Sequence, residues 1–182
     1  MFKNSGILKI FFEKPATDFN VREIARRLKI SASTASIQLK NLAEKSILKQ
    51  KKDRICIFYR ANLESSLYRD MKIFYTIRRL KDSGLINYLN KFYSPSSIIL
   101  FGSASHGLDA ELSDIDLLLL SDKPEEFPGK KHFERKLNRH LHIFSVKSME
   151  SLMNEHLIKN AAKGIRIEAE QKWTLMSATK KD

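Results

Sequence analysis

Residues 98–120 read IILFGSASHGLDAELSDIDLLLL, two nearly pure Ile, Leu and Phe runs flanking a polar bend. Short apolar runs bounded by Gly and Ser read as buried strands. The second run opens on Asp114 and Asp116, two positions apart, so on a strand both side chains share a face. Adjacent carboxylates in apolar surroundings repel unless a cation joins them. Hard oxygen ligands suit Mg²⁺, which is commonly shared with substrate phosphates. In the bend, Gly102 lets the backbone approach a ligand, and the Ser103 hydroxyl with neighbouring N–H groups can cup a phosphate. A turn for phosphate beside a strand for its metal is the equipment of phosphoryl or nucleotidyl transfer.

The chain has 182 residues, room for one mid-sized domain or two small ones. No apolar run approaches the ~20 residues of a membrane span, and the start MFKNSGILKIFFEKP lacks the cleavage site of a signal peptide. The single cysteine, Cys56, excludes an internal disulfide and fits a reducing, cytoplasmic setting. His132 and His156 lack partners at metal-ligand spacing, so no zinc site is expected. Charge is uneven. Residues 1–60 hold 14 Lys and Arg against 5 Asp and Glu, whereas residues 61–182 hold 19 against 16. A basic field concentrated in one third of the chain is what a phosphate backbone attracts.

That basic third has helical rhythm. Val21, Ile24, Ala25 and Leu28 fall on one helical face behind Asn20 as N-cap, and Ser31 caps a second helix whose buried stripe is Ala32, Ala35, Leu39 and Leu42. A short turn between them makes the two helices cross sharply. An earlier helix, about 6–13, offers Ile7, Ile10 and Phe11 to their core, and SILKQKKDRICIFYRA reads as a hairpin with a charged tip at 51–54. Residues 5–62 thus resemble the winged helix-turn-helix family, with Ser46 where the family usually has Gly after the recognition helix. The resemblance implies that the second helix enters the major groove of double-stranded DNA. Ser33, Thr34, Ser36, Ile37, Gln38 and Lys40 then face outward, and Lys51, Lys52 and Arg54 reach the flanking backbone or minor groove. The alternative is a protein-interaction module of the same fold.

Residues 63–80 form a linking helix with Leu67, Met71, Phe74, Tyr75 and Ile77 along one side, which reads as core or as the interface of a homodimer. Gly84 is its expected C-cap, and a second helix, 85–93, follows. After the loop 121–132, whose Lys130 and Lys131 border the bend, come a strand at 139–146, an amphipathic helix, a stop at Gly164, a short strand and a frayed tail, TLMSATKKD.

Residues 85–173 resemble the nucleotidyltransferase (polymerase-β-like) superfamily in its minimal form, on Gly102, Ser103, Asp114, Asp116 and their flanking strands. The resemblance implies an α/β fold with a mixed sheet, a nucleoside triphosphate (ATP first) on the turn, Mg²⁺ at the two aspartates, and nucleotide transfer to a hydroxyl. This chain departs from the family's pattern in two ways. Ala104 and His106 replace the arginines of the family's turn, and the later strand RHLHIFSV offers His140 and His142 where the third carboxylate should project. Both histidines read as surface or sheet-packing groups, and Glu134 reaches the site only if that strand starts earlier.

The expected architecture is α/β in two domains: a winged helix-turn-helix at 1–62, connecting helices at 63–94, a nucleotidyltransferase-like domain at 95–175 and a tail at 176–182. Three functions fit: a DNA-binding regulator carrying a nucleotide-binding domain; an active transferase acting on protein, RNA or a small molecule, similar to the antitoxin half of toxin–antitoxin pairs and so open to a partner toxin; or a winged helix serving only protein contacts.

Overall fold

A computed structural model describes residues 5–123, 125–152 and 155–169. The expected tail at 176–182 and the expected end of the second domain at 175 lie outside the described residues.

Three helices come first: α1 (Ser5–Glu13), α2 (Val21–Leu28) and α3 (Ala32–Glu44). Asn20 caps α2 as the sequence suggests. Its side-chain oxygen accepts from Glu23 N at 3.0 Å, and the Glu23 carboxylate accepts from Asn20 N at 2.8 Å, so two N–H groups are satisfied reciprocally. Ser31 Oγ accepts from Thr34 N at 3.0 Å and starts α3. Between them the chain reverses at Lys29, whose φ of 54° ends α2 in the left-handed region. The strands β2 (Leu48–Asp53) and β3 (Cys56–Ala61) form the hairpin, and β1 (Phe19–Asn20) adds a third antiparallel strand that sequence reading did not anticipate. Ile7, Leu8, Phe11, Ile24, Leu39 and Tyr59 are buried together between helices and sheet.

The linking helix is α4 (Ser66–Asp82), capped by Ser65, and α5 (Leu85–Tyr93) follows. The expected buried side of α4 is one position out of register. Tyr68, Lys72, Thr76 and Leu80 are interior, whereas Leu67 and Phe74 are exposed and Met71, Tyr75 and Ile77 are only half-buried. The reason is that α4 packs against two partners, and the i, i+4, i+8, i+12 row faces both. Gly84 is left-handed at φ 83° as expected of a stop, but it forms the entry to α5, and Ser83 is the C-cap of α4.

Beyond α5, a four-stranded mixed sheet runs in the order β6-β5-β4-β7, from β4 (Ser97–Phe101), β5 (Ile115–Leu120), β6 (Leu141–Val146) and β7 (Ile165–Ala169). β4 pairs antiparallel with both β5 and β7, and β5 pairs parallel with β6. The sheet is covered on both faces, which is why its central strands are nearly pure Ile and Leu. Ile98, Leu100, Leu117 and Leu119 pack toward α5 and α7 (Lys130–Leu137), while Ile99, Phe101 and Leu118 meet α8 (Glu155–Ala162) and Leu152 on the other side. A 3₁₀ turn at Met149–Ser151 precedes α8, and a one-turn helix, α6 (Gly102–Ser105), leaves β4. Among the described residues, no helix is long and apolar enough to cross a membrane.

Candidate functional site

β4 ends at Phe101, and the chain turns at Gly102, with φ 68°, into α6. The turn is pinned from within: Ser105 Oγ donates to Gly102 O at 2.8 Å, and His106 N and Leu108 N both donate to Ser103 O, at 3.2 and 3.1 Å. Ser103 is left exposed at its start. The register then sets the neighbours of this bend. Asp116 pairs with Phe101 on one side and with His142 on the other, so a carboxylate and an imidazole line up in a row beside the turn.

Asp116 lies so close to Gly102 that a Cβ there would fall 2.2 Å from Asp116 Oδ2. Gly102 is therefore required twice, by its backbone angle and by the carboxylate packed over it. Asp114 sits one residue before β5 and is less enclosed than Asp116. Sequence reasoning placed both acids on one face, and His142 confirms that they share it: its Nδ1 is 3.1 Å from Asp116 Oδ1 and its Nε2 is 3.7 Å from Asp114 Oδ2. His142 is exposed, as expected of a surface histidine, and parallel pairing adds what the sequence did not show: it stands beside Asp116 and within reach of both acids.

His140 turns elsewhere, 3.5 Å from Glu134 Oε1. Glu134 lies on α7, where its carboxylate accepts from Leu141 N at 3.0 Å and holds the entry to β6. That amide hydrogen bond, aided by Lys130 and His140, keeps Glu134 below the usual carboxylate range. With β6 beginning at Leu141, Glu134 does not stand in for a third acid.

The donor set is thus two carboxylates and one imidazole. Two carboxylates are hard oxygen donors of the kind Mg²⁺ takes; among the described residues no third carboxylate is placed against them. As the side chains stand, His142 presents a different nitrogen to each acid, and among the described residues no cluster of three or more His, Cys, Asp or Glu is arranged to hold a metal.

Behind the acids lies a buried ionic cluster that sequence reading missed. Lys72 of α4 and Asp109, in the loop between α6 and β5, are each about 1% exposed. The Lys72 ammonium donates to the main-chain carbonyl of Asp109 and lies 3.3 Å from its Oδ1, a contact not aligned as a hydrogen bond. Burial lowers the Lys72 pKa, and the Asp109 carboxylate opposes that shift. Arg139 completes the group: Nη1 donates to Asp109 Oδ2 at 2.8 Å, Nη2 to Asp114 O at 3.2 Å, and Nε to Ser113 O. The available signal was a lysine in the interior row 68, 72, 76, 80 of α4, where a charge needs a partner.

In the basic third of the chain, Ser33, Thr34 and Lys40 are exposed on α3, while Ser36 and Gln38 are half-buried. The Ser33 and Thr34 hydroxyls each lie 2.8 Å from Ser31 Oγ, so the α3 cap already engages part of their hydrogen-bonding capacity. Lys51, Lys52 and Arg54 are exposed on β2 and the turn after it, where Arg54 is left-handed at φ 50°. Lys49 and Arg60, by contrast, are paired with Glu64 and Asp18.

Comparison with known proteins bears on the second half of the chain. Residues 82–156 match the family described as nucleotidyltransferase domain, a span that includes the turn at Gly102, both aspartates, Arg139 and His142. No curated protein matches the chain.

Proposed function

Taking residues 82–156 as a nucleotidyltransferase domain, we propose that this chain binds a Mg²⁺–nucleoside triphosphate at that domain and double-stranded DNA at its basic N-terminal third, as a DNA-binding regulator whose nucleotide site can transfer a nucleotide. The observation that carries the nucleotide half is the fit of Asp116 over Gly102, with Asp114 and His142 on the same side. The Gly102–Ser103 turn receives phosphate, and Asp114 and Asp116 hold the ion. When bound, that ion neutralises phosphate charge and polarises the phosphoryl oxygens. Asp114 and Asp116, the latter backed by the sheet, are the residues that would hold it. With its Nδ1 protonated, His142 donates to Asp116 Oδ1 and holds it in place from the neighbouring strand.

For the DNA half, the support is an exposed run of cations on two adjoining elements. Among the described residues, Lys40, Lys51, Lys52 and Arg54 form no ion pair, which leaves them available to phosphate oxygens. The three-helix and hairpin order supports a winged helix-turn-helix, with α3 as the reading helix and the hairpin as its wing.

One experiment tests the pair. Purified protein is incubated with labelled nucleoside triphosphates, Mg²⁺ and cell lysate, beside Asp114→Ala/Asp116→Ala, and duplex DNA retardation is measured across salt concentrations. Nucleotide uptake lost in the double variant, together with salt-sensitive retardation retained in it, is the expected result. Uptake unaffected by the double substitution, or no uptake by the wild type, defeats the nucleotide half. Retardation indifferent to salt defeats the DNA half. Covalent transfer of label to an acceptor in the lysate distinguishes a working transferase from a nucleotide-binding regulator.

A further inference from the structure

We propose that Lys72 is a positioning residue for Asp114, so that the linking helix α4, which lies outside the matched transferase segment but for its last residue, Asp82, is part of the site's construction.

The contacts run without a gap. Arg139 grips the main chain at Ser113 and Asp114, the two residues that lead into β5. Its guanidinium is in turn held by Asp109 Oδ2 at 2.8 Å. Asp109 is held from the opposite side by the Lys72 ammonium, through its main-chain carbonyl and the 3.3 Å contact to Oδ1. The loop between α6 and β5 is also pressed directly onto α4. Gly107, with φ 66°, passes so close that a Cβ there would lie 2.5 Å from Arg69 O. A further turn within the loop is closed by Ser113 Oγ, which accepts from Ala110 N at 2.8 Å.

Hydrophobic residues of equal volume would bury as well as this ion cluster, so its chemistry points to a geometric task. A fork of guanidinium donors has fixed directions, and it binds three acceptors only in one arrangement of the loop. Asp109 and Arg139 neutralise each other and are nearly buried, 2% and 9% exposed in their side chains, and Lys72 adds a hold on Asp109 from the α4 side, at its main-chain carbonyl as well as its carboxylate. α4 is fixed at its other end by the N-terminal helices. Tyr68 Oη donates to Phe11 O at 2.9 Å, Tyr75 Oη to Glu13 Oε1 at 2.7 Å, and Lys14 of the chain after α1 pairs with Glu111 of the loop at 2.6 Å. The acid at 114 is thereby referred to the N-terminal third as well as to its own sheet.

The test uses the full chain. Hydrogen–deuterium exchange without ligand compares wild type with Lys72→Met, and Mn²⁺ binding to the same samples is titrated by electron paramagnetic resonance. The expected result is exchange at least tenfold faster over residues 108–116 with residues 117–120 unchanged, and Mn²⁺ affinity reduced more than tenfold. Leu39→Ala, which opens a cavity in the N-terminal core, should lower thermal stability, speed exchange over residues 117–120 as much as over 108–116, and leave Mn²⁺ affinity as in wild type. If Lys72→Met does not fold, Arg139→Lys keeps the charge but loses the three-way fork, and it is expected to give the same pair of changes. Unchanged exchange at 108–116 in the variant that folds, or faster exchange confined to 108–116 in Leu39→Ala as well, overturns the proposal. The metal readout rests on the nucleotide reading above, and the exchange readout does not. A wild type that takes up no Mn²⁺, with exchange responding as expected, therefore removes the nucleotide reading and upholds the positioning role.

Discussion

Gly102 is the residue on which geometry and chemistry at the site both depend. Its left-handed backbone would cost a β-carbon about 1 kcal/mol, and the Cβ would also drive into the Asp116 carboxylate. Because Asp116 presents the end of a flexible side chain there, the chain can fold by turning the acid aside. Gly102→Ala is thus expected to lower stability by about 1–2 kcal/mol and to abolish divalent-ion uptake, measured by thermal unfolding beside metal titration. Glu134 offers a pH prediction. Its folded pKa is depressed chiefly by the Leu141 amide, so its contribution is present above the ordinary carboxylate range and is lost as pH falls through the folded value. Glu134→Gln is expected to cost about 1 kcal/mol at neutral pH, and the gap from wild type should close in acid, as followed by denaturant unfolding at a series of pH values. These residues differ in how openly the chain displays them. Gly102, Asp114 and Asp116 stand out because polar groups interrupt apolar strands, a local contrast. The partnership of Lys72, Asp109 and Arg139 joins positions 37 and 30 residues apart, and no local pattern records which distant charge meets which.

Among the elements, α2 and α3 start where sequence places them, since each N-terminus carries a side-chain cap written in adjacent residues; in α3 the buried stripe is Ala35, Leu39 and Leu42, and Ala32, expected with them, is exposed. The rotation of α4 was misjudged because an amphipathic count treats Lys72 as polar and therefore outward, whereas its charge is met inside. β1 is two residues long, too short for alternation to announce it. After α3, Ser46 takes φ 55°, the conformation for which glycine is the usual choice, and its N–H donates to Ala43 O at 2.9 Å. Ser46→Gly is expected to stabilise the chain by about 0.5–1 kcal/mol with no change in DNA affinity, checked by thermal unfolding and a retardation assay. The hairpin and α3 carry the other prediction at this level. Replacing Lys40, Lys51 and Lys52 by Ala should weaken duplex binding across sequences alike and reduce the salt slope by roughly one for each phosphate contact removed. An affinity and slope equal to wild type would assign the cations to solvent.

At the level of the whole molecule, α4 decides whether the two cores behave as two proteins or one. Tyr68 is buried in the core with Phe11, Leu39 and Tyr59, and Leu80 in the core with Leu85, Ile98 and Leu117. The same helix is thus a wall of both, and the Lys72 cluster lies between those two ends. Further ties cross the junction on either side: Lys14 to Glu111, and Arg79 to the carbonyl of Leu137 at 2.6 Å. If either core melted alone, α4 would lose half its packing, and Lys72 and Asp109 would be left as buried charges with a displaced partner, a loss of about 3–5 kcal/mol. Local opening of that size is comparable to the full stability of a small domain, so separate melting is disfavoured. The expected outcome is one calorimetric transition for the full chain, with calorimetric and van't Hoff enthalpies equal. Leu39→Ala, though confined to the N-terminal core, should shift that single transition downward by about 2–5 kcal/mol of stability without splitting it. Protection from hydrogen exchange in the second-core strand β5 and in the helix α7 that carries Phe133 should be lost at the same temperature in that variant as helical dichroism is. Two resolved transitions, or a second core indifferent to Leu39→Ala, would mean that α4 bends or parts at the junction, and that the two halves of the molecule are coupled by the chain alone.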